Sequence, residues 1–256
     1  MNQFSVVAHG ITHQGRHREK NQDQFLVNRK LNLFAVADGV EEAPFGEIAS
    51  RMAVEELGKI ITGLDLSQDA TPPFEDHPAL PLPARALKYA LREVNRRLYD
   101  FARQNPKYQG MGTTLTTLWL TQGKAYIGHI GDSRAYLVRN GIAQQLTQDH
   151  TTIADRPVQQ TEDLELYEEI SHISEHELTR VVGINPDLMV QLAGGTPHPG
   201  DRFVLCTDGL YGMVRDFEIA QTVEQNPPQL ACRKLIELAN QRGGIDNIAL
   251  VVIQIG

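Results

Sequence analysis

The sequence predicts an α+β protein. Eight short runs of β-branched and apolar residues are separated by turn residues, two long early segments repeat apolar residues at helical spacing, and two shorter helical segments stand near the end. The strand candidates are residues 4–8, 24–28, 33–37, 114–120, 125–130, 135–139, 202–207 and 248–255. They are rich in Val, Ile, Leu, Phe and Thr, residues that fit a pleated, covered surface.

The first helix is marked by Ile48, Met52, Ile60 and Leu64, with Ala53, Leu57 and Ile61 beside them. The second is marked by Leu87, Leu91, Val94, Leu98 and Phe101. Each pattern gives one apolar face. The segment between them, residues 65–83, is crowded with proline, which fixes the chain locally and removes backbone donors, so it reads as an irregular surface loop. Near the end, Asp216 is placed to cap a helix over residues 217–224, and another helix follows Pro227 and Pro228 and stops at Gly243 and Gly244. Residues 150–182 are acidic and weakly amphipathic, and read as a flap subdomain within a single domain spanning 1–256. No internal repeat is visible.

Composition bounds the function. With 256 residues, 41% hydrophobic, the chain can bury a substantial core. A formal charge of -8 argues against nonspecific binding to nucleic acid or to an acidic membrane. No apolar run approaches membrane-spanning length and the start carries no secretory pattern, so a cytoplasmic protein is expected. Cys206 and Cys232 lack metal-type spacing and read as buried free thiols. His13 and His17 are four apart, as are His172 and His176; zinc would need a helix and further ligands, and no separate histidine site is expected.

One arrangement occurs twice. LFAVADG ends in Asp38-Gly39, and FVLCTDG ends in Asp208-Gly209; AYIGHIGD delivers Asp132, and Asp246-Asn247 precedes the strand IALVVIQI. Hard divalent cations prefer such oxygen ligands, and a bound cation removes the repulsion between neighbouring carboxylates. A glycine after the aspartate lets the backbone carbonyl approach an ion. Asp-Gly after a strand is equally an ordinary turn signal, and spacing alone does not make these residues converge.

The flanking words resemble the metal-dependent protein phosphatase family of type 2C, in particular its bacterial serine/threonine phosphatase branch. In chain order they are REKNQD (18–23), AVADG (35–39), GEIAS (46–50), GMGTT (110–114), IGDSRAYLVRNG (130–141), LTQDHT (146–151), LTRVVG (178–183), LCTDGLYGMV (205–214) and GGIDNIALVVI (243–253). Several words in family order are far more specific than any one. The resemblance implies a four-layer αββα sandwich, two antiparallel sheets flanked by helix pairs. It implies hydrolysis of phosphoserine and phosphothreonine in proteins by water activated between two divalent cations, Mn2+ or Mg2+. Asp38 then matches the bridging carboxylate, Gly39 the carbonyl ligand, and Asp208 and Asp246 the remaining carboxylates. Asp132, with Asp208, matches the holder of a third, weaker ion. Arg18 matches the arginine that grips the substrate phosphate; Asp23, Gln22 and Asn247 match supporting positions. Phosphorylated proteins, a cognate Ser/Thr kinase and a monomeric state are the partner expectations.

The chain departs from the pattern after Gly39. Val40-Glu41-Glu42-Ala43-Pro44 replaces a glycine-rich run that carries a histidine, and Gln22 stands where relatives have glutamate. The altered run motivates a second reading, a phosphatase-like module that binds phosphorylated partners with little catalysis; retention of the aspartates and Arg18 opposes it.

Overall fold

In the computed structural model, eleven strands among the described residues form two antiparallel sheets with helices on both outer faces. The structure describes residues 5–40, 45–67, 72–74, 79–151, 164–166 and 180–256. The elements are β1 (Val6–His13), β2 (Asp23–Asn28), β3 (Leu33–Asp38), α1 (Gly46–Gly63), α2 (Leu82–Gln104), β4 (Leu115–Thr121), β5 (Lys124–Ile130), β6 (Arg134–Arg139) and β7 (Ile142–Gln145). They continue with β8 (Leu164–Leu166), β9 (Gln191–Gly195), β10 (Arg202–Cys206), α3 (Asp208–Tyr211), α4 (Asp216–Gln225), α5 (Pro228–Gln241) and β11 (Ile248–Ile255). One sheet has the order β1-β11-β10-β6-β7, the other β2-β3-β4-β5-β9-β8.

The strands are apolar at consecutive positions because both faces are covered. In β3, Phe34 and Val36 enter the core between the sheets, while Leu33, Ala35 and Ala37 face the layer of α1 and α2. In β11, Ala249, Val251, Ile253 and Ile255 fill the inter-sheet core, and Ile248, Leu250 and Val252 meet the layer of α4 and α5. Strand alternation thus sorts side chains into three stacked cores, which is the αββα sandwich. Full burial of each Val, Leu, Ile or Phe side chain among them contributes about 1.5–3 kcal/mol.

Several boundaries differ from the sequence reading. The first strand runs on to His13, because β1 pairs with β11 along its whole length. The proline-rich loop ends earlier than residue 83: Leu82 begins α2, with Pro83 in the first turn, where its missing N–H costs nothing. Residues 68–71 and 75–78 of that loop lie outside the described residues. The buried face of α1 is centred on Ala49, Ala53, Leu57 and Ile60, so Ile48 and Met52 flank it. Asp216 does not cap α4 but opens it; Arg215 is the capping residue, and its N–H donates to Glu218 Oε2 at 3.1 Å. His13 ends a strand and His17 lies in a turn, so the helix that a zinc pair would need is absent there; His172 and His176 lie outside the described residues. Of the flap region, 152–163 and 167–179 also lie outside them, and β8 pairs antiparallel with β9. Cys206 and Cys232 are buried free thiols, and burial pushes the Cys232 thiol up to about 12.

Candidate metal centre

Five strand ends carry the aspartates: Asp23 and Asp38 lie at the ends of β2 and β3, Asp132 follows β5, Asp208 follows β10 and Asp246 precedes β11. Asp23 opens β2 and stands opposite Asp38, the last residue of β3, in the antiparallel register. Asp38 is fixed through its backbone: its N–H donates to Thr114 Oγ1 at 2.9 Å, and its carbonyl accepts from the Thr113 hydroxyl at 2.8 Å and the Thr114 N–H at 2.8 Å. The GMGTT word is therefore the clamp on Asp38. Asp208 does not end a strand; β10 stops at Cys206, and Asp208 begins the one-turn helix α3.

The carboxylates are close enough to control one another. The Asp38 carboxyl lies within hydrogen-bonding reach of those of Asp23 and Asp208. Burial first, then the charges of Asp23, Asp208 and Asp132, holds the Asp38 carboxyl well above its usual range. Burial and the neighbouring Asp208 likewise push Asp132 up to about 6. Burial pushes Asp23 up to about 7, against the Thr207 hydroxyl, which donates to Asp23 Oδ2 at 2.7 Å. Such shifts arise when the charged form lacks solvent or a cation.

Two carboxylate oxygens, Asp23 Oδ1 and Asp208 Oδ1, are buried without a hydrogen-bond partner among the described residues. Among those residues no three His, Cys, Asp or Glu side chains are arranged, as they stand, to hold a metal ion. Oxygen-only donors, excess negative charge and orphaned carboxylate oxygens suit hard divalent cations, so the residues present fit such ions.

Arg18 lies at the rim. Its Nη2 donates to Asp246 Oδ2 at 2.7 Å, with both side chains about a quarter exposed. That hydrogen bond, with the charges of Asp246, Asp208 and Asp38, raises the Arg18 guanidinium above its ordinary value against the opposing effect of burial. Asn247 is the hub of the loop: its Nδ2 donates to the carbonyls of Gln14 (2.7 Å) and Lys20 (2.8 Å), and its Oδ1 accepts from the Gln22 N–H (2.8 Å). It ties the REKNQD segment to Asp246. Gln22 acts mainly through its backbone, whose carbonyl accepts from Ser50 Oγ (2.5 Å) and the Gly39 N–H (3.2 Å). Its side chain helps to lower the Glu47 carboxyl below its ordinary value.

The glycines after the aspartates have a packing reason that the sequence did not show. A Cβ on Gly39 would collide with the Gly46 backbone, and one on Gly209 with the Asn247 carbonyl oxygen. Each Asp-Gly step lets two backbone segments of the centre touch. The sequence reading also missed Thr113, Thr114, Thr207 and Ser50 as supports. Their only signal was membership in the words GMGTT, CTDG and GEIAS; the partner atoms are remote in sequence.

The centre thus joins Asp23, Asp38, Asp132, Asp208, Asp246 and Arg18. A family model described as protein phosphatase 2C matches residues 10–235 of the chain. The chain belongs to the protein phosphatase 2C family. It is 32% identical over 258 residues to a protein phosphatase 2C-type protein of Streptococcus pyogenes, covering 93% of both chains. It is 28% identical to the serine/threonine phosphatase stp of Listeria innocua, covering 95% of this chain and 93% of that one. Among solved structures, it is similar to the PPM Ser-Thr phosphatase MsPP from Mycobacterium smegmatis in complex with cacodylate (30% identity, TM-score 0.75, 98% of each chain). It is also similar to the catalytic domain of the serine threonine protein phosphatase PstP in complex with two manganese ions (26% identity, TM-score 0.76, 98% of this chain and 99% of that one). The fold of this type 2C member is the sandwich described above.

Proposed function

We propose that this type 2C family member hydrolyses phosphoserine and phosphothreonine in proteins, using two divalent cations, Mn2+ or Mg2+. The observation that carries the reading is the buried carboxylate group around Asp38, whose charges need cations, with a guanidinium at its rim. Membership of the family and the two manganese ions of the PstP catalytic domain support it.

Asp38 would bridge the two ions, the Gly39 carbonyl would bind one, and Asp208 and Asp246 the other. Asp132, with Asp208, would hold a third, weaker ion. Bound there, the ions supply Lewis acidity and an activated water at neutral pH. The chain's own residues do the rest. Arg18, whose Nη2 donates to Asp246, would present its guanidinium to the phosphoryl oxygens, fixing the ester for in-line displacement. Asp23, held by Thr207, keeps the carboxylate face of β3 in place. Asn247 fixes the spacing between Asp246 and the Arg18 loop.

The cellular substrates would be phosphoproteins of a cognate Ser/Thr kinase, handled by a cytoplasmic monomer; residues 150–182 would act as the substrate-facing flap of the single domain. Among the described residues no helix is long and apolar enough to cross a membrane.

The test is phosphate release from a phosphothreonine peptide and a chromogenic phosphate ester, with Mn2+ or with chelator. Release that requires the metal is expected. A folded protein that binds the phosphopeptide but releases no phosphate would favour the binding-module reading instead.

A further inference from the structure

Tyr211 links the backbone of Asp132 to the helical turn that Asp208 begins. It lies on the single turn of α3 that Asp208 begins, and the Gly212 N–H closes that turn onto the Asp208 carbonyl at 2.8 Å. From there the Tyr211 hydroxyl donates to the Asp132 carbonyl oxygen at 3.1 Å. One side chain therefore connects the loop after β5 to the helix that carries Asp208.

That side chain is itself held rigidly. The Arg134 guanidinium stacks on the Tyr211 ring, 3.7 Å from its centroid. Arg134 is fixed in turn by a bidentate pair with Asp149 (Nη2 to Oδ2 at 2.6 Å, Nε to Oδ1 at 3.0 Å) and by donation to the Tyr136 hydroxyl at 3.1 Å. Asp149 also accepts from Gln145 Nε2 at 3.1 Å. A planar guanidinium locked by a carboxylate gives the ring a single orientation, so the hydroxyl cannot follow Asp132 if the loop shifts. The other end of the loop is anchored where Ser133 Oγ shares a hydrogen bond with Thr114 Oγ1 at 2.7 Å, the same hydroxyl that receives the Asp38 N–H.

We infer that Tyr211 is a positioning residue that sets the distance between Asp132 and Asp208, and thereby the affinity of the weaker divalent-cation site those two carboxylates form. The inference rests on the assignment of a third ion to Asp132 proposed above. Tyr211 touches neither substrate nor ion in this role; it acts through the backbone of Asp132. Two tight ions held by Asp38, Gly39, Asp208 and Asp246 do not depend on the hydroxyl, because Asp208 keeps its place at the start of α3.

The experiment is calorimetric titration of metal-stripped protein with Mn2+, together with paramagnetic resonance of the free ion, on wild type, Tyr211→Phe and Asp132→Asn. Phe keeps the ring under Arg134 and removes only the hydroxyl, and retention of the tight sites certifies the fold. Wild type is expected to bind a weak ion beyond the two tight ones, and Asp132→Asn to lose it. Tyr211→Phe should weaken that ion about three- to tenfold, the worth of one hydrogen bond, with the tight sites unchanged. A weak site lost in Asp132→Asn but unaltered in Tyr211→Phe overturns the role of Tyr211 alone. Absence of a weak site in wild type overturns the third-ion assignment, and the role of Tyr211 with it. Equal weakening of tight and weak sites in Tyr211→Phe also overturns the inference, since a general loosening of the fold would produce it.

Discussion

Arg18 and Asp246, 228 residues apart in sequence, form a hydrogen-bonded ion pair of 2.7 Å at the rim of the carboxylate centre. The pair holds the guanidinium beside the carboxylates without burying it. Removing it by Arg18→Ala takes away charge-assisted hydrogen bonds worth about 1.5–3 kcal/mol, a loss of roughly ten- to a hundredfold in kcat/KM. The loss should fall mainly on KM for the phosphopeptide. Steady-state kinetics check this; an unchanged KM removes Arg18 from phosphate binding.

The charges of Asp23, Asp208 and Asp132 all bear on the Asp38 carboxyl, and a neutral amide there tests what that burden is for. In chelator, Asp38→Asn should raise Tm, since the amide donates to Asp23 and Asp208 without adding charge. A gain of 1 kcal/mol corresponds to about 2–4 °C for a chain of this size. The same variant should lose the stabilisation that Mn2+ gives wild type, and its turnover. Thermal melts with and without Mn2+ measure both; a variant that melts lower than wild type in chelator contradicts the charge argument.

Much of this was legible beforehand, and the remainder was hidden for physical reasons. Strands covered on both faces, such as β3, β10 and β11, announce themselves as continuous apolar runs. β7, with the sequence IAQQ, is a sheet edge covered on one side, and β9, QLAGG, is held by its ladder to β5 with two glycines where side chains would signal. Neither carries an apolar pattern to read. The aspartates were visible as a repeated strand-Asp-Gly habit, but their convergence depends on the pairing of β2 with β3 and on the turn of α3, which spacing does not encode. Tyr211 was invisible as anything but a residue of LCTDGLYGMV, because its partners Asp132 and Arg134 lie on another strand connection.

Gly209 tests the close backbone contact. Gly209→Ala sets a methyl group against the Asn247 carbonyl oxygen, and neither atom belongs to a flexible side-chain end. The Asp246-Asn247 segment must then retreat from Asp208, so under the proposed ligand assignment the two carboxylates would no longer share an ion. Mn2+ affinity and turnover should fall by at least tenfold, about 1.4 kcal/mol, while the far-ultraviolet dichroism stays that of the wild type. Metal titration measures this, and a variant with wild-type affinity would show that the loop has slack.

His129 and His150 make the fold sensitive to acid from a place outside the carboxylate group. Their rings stack with centroids 4.6 Å apart. His129 Nε2 contacts the Gln148 carbonyl at 2.9 Å and its Nδ1 contacts Thr116 Oγ1 at 2.8 Å; the Gly131 N–H donates to His150 Nδ1 at 3.0 Å. Burial pushes His129 down to about 4 from an ordinary 6.5, and pushes His150 down as well, with His129 and Arg180 adding to the effect. For a base lowered in this way the unfolded chain takes up protons first. Stability is therefore complete above about pH 6.5 and is lost as pH falls toward 4, by ~3 kcal/mol for His129. Asp23 and Asp132, raised in the metal-free protein, titrate in the opposite direction over the same range. The histidine contribution is thus read as a difference: urea melts of wild type and His129→Gln at pH 7.5 and pH 5, as approximate settings either side of the ordinary histidine value. Gln keeps a donor and an acceptor but does not titrate, so wild type should lose more stability than the variant between the two conditions. Equal losses would mean that His129 is protonated in the native protein at the lower pH.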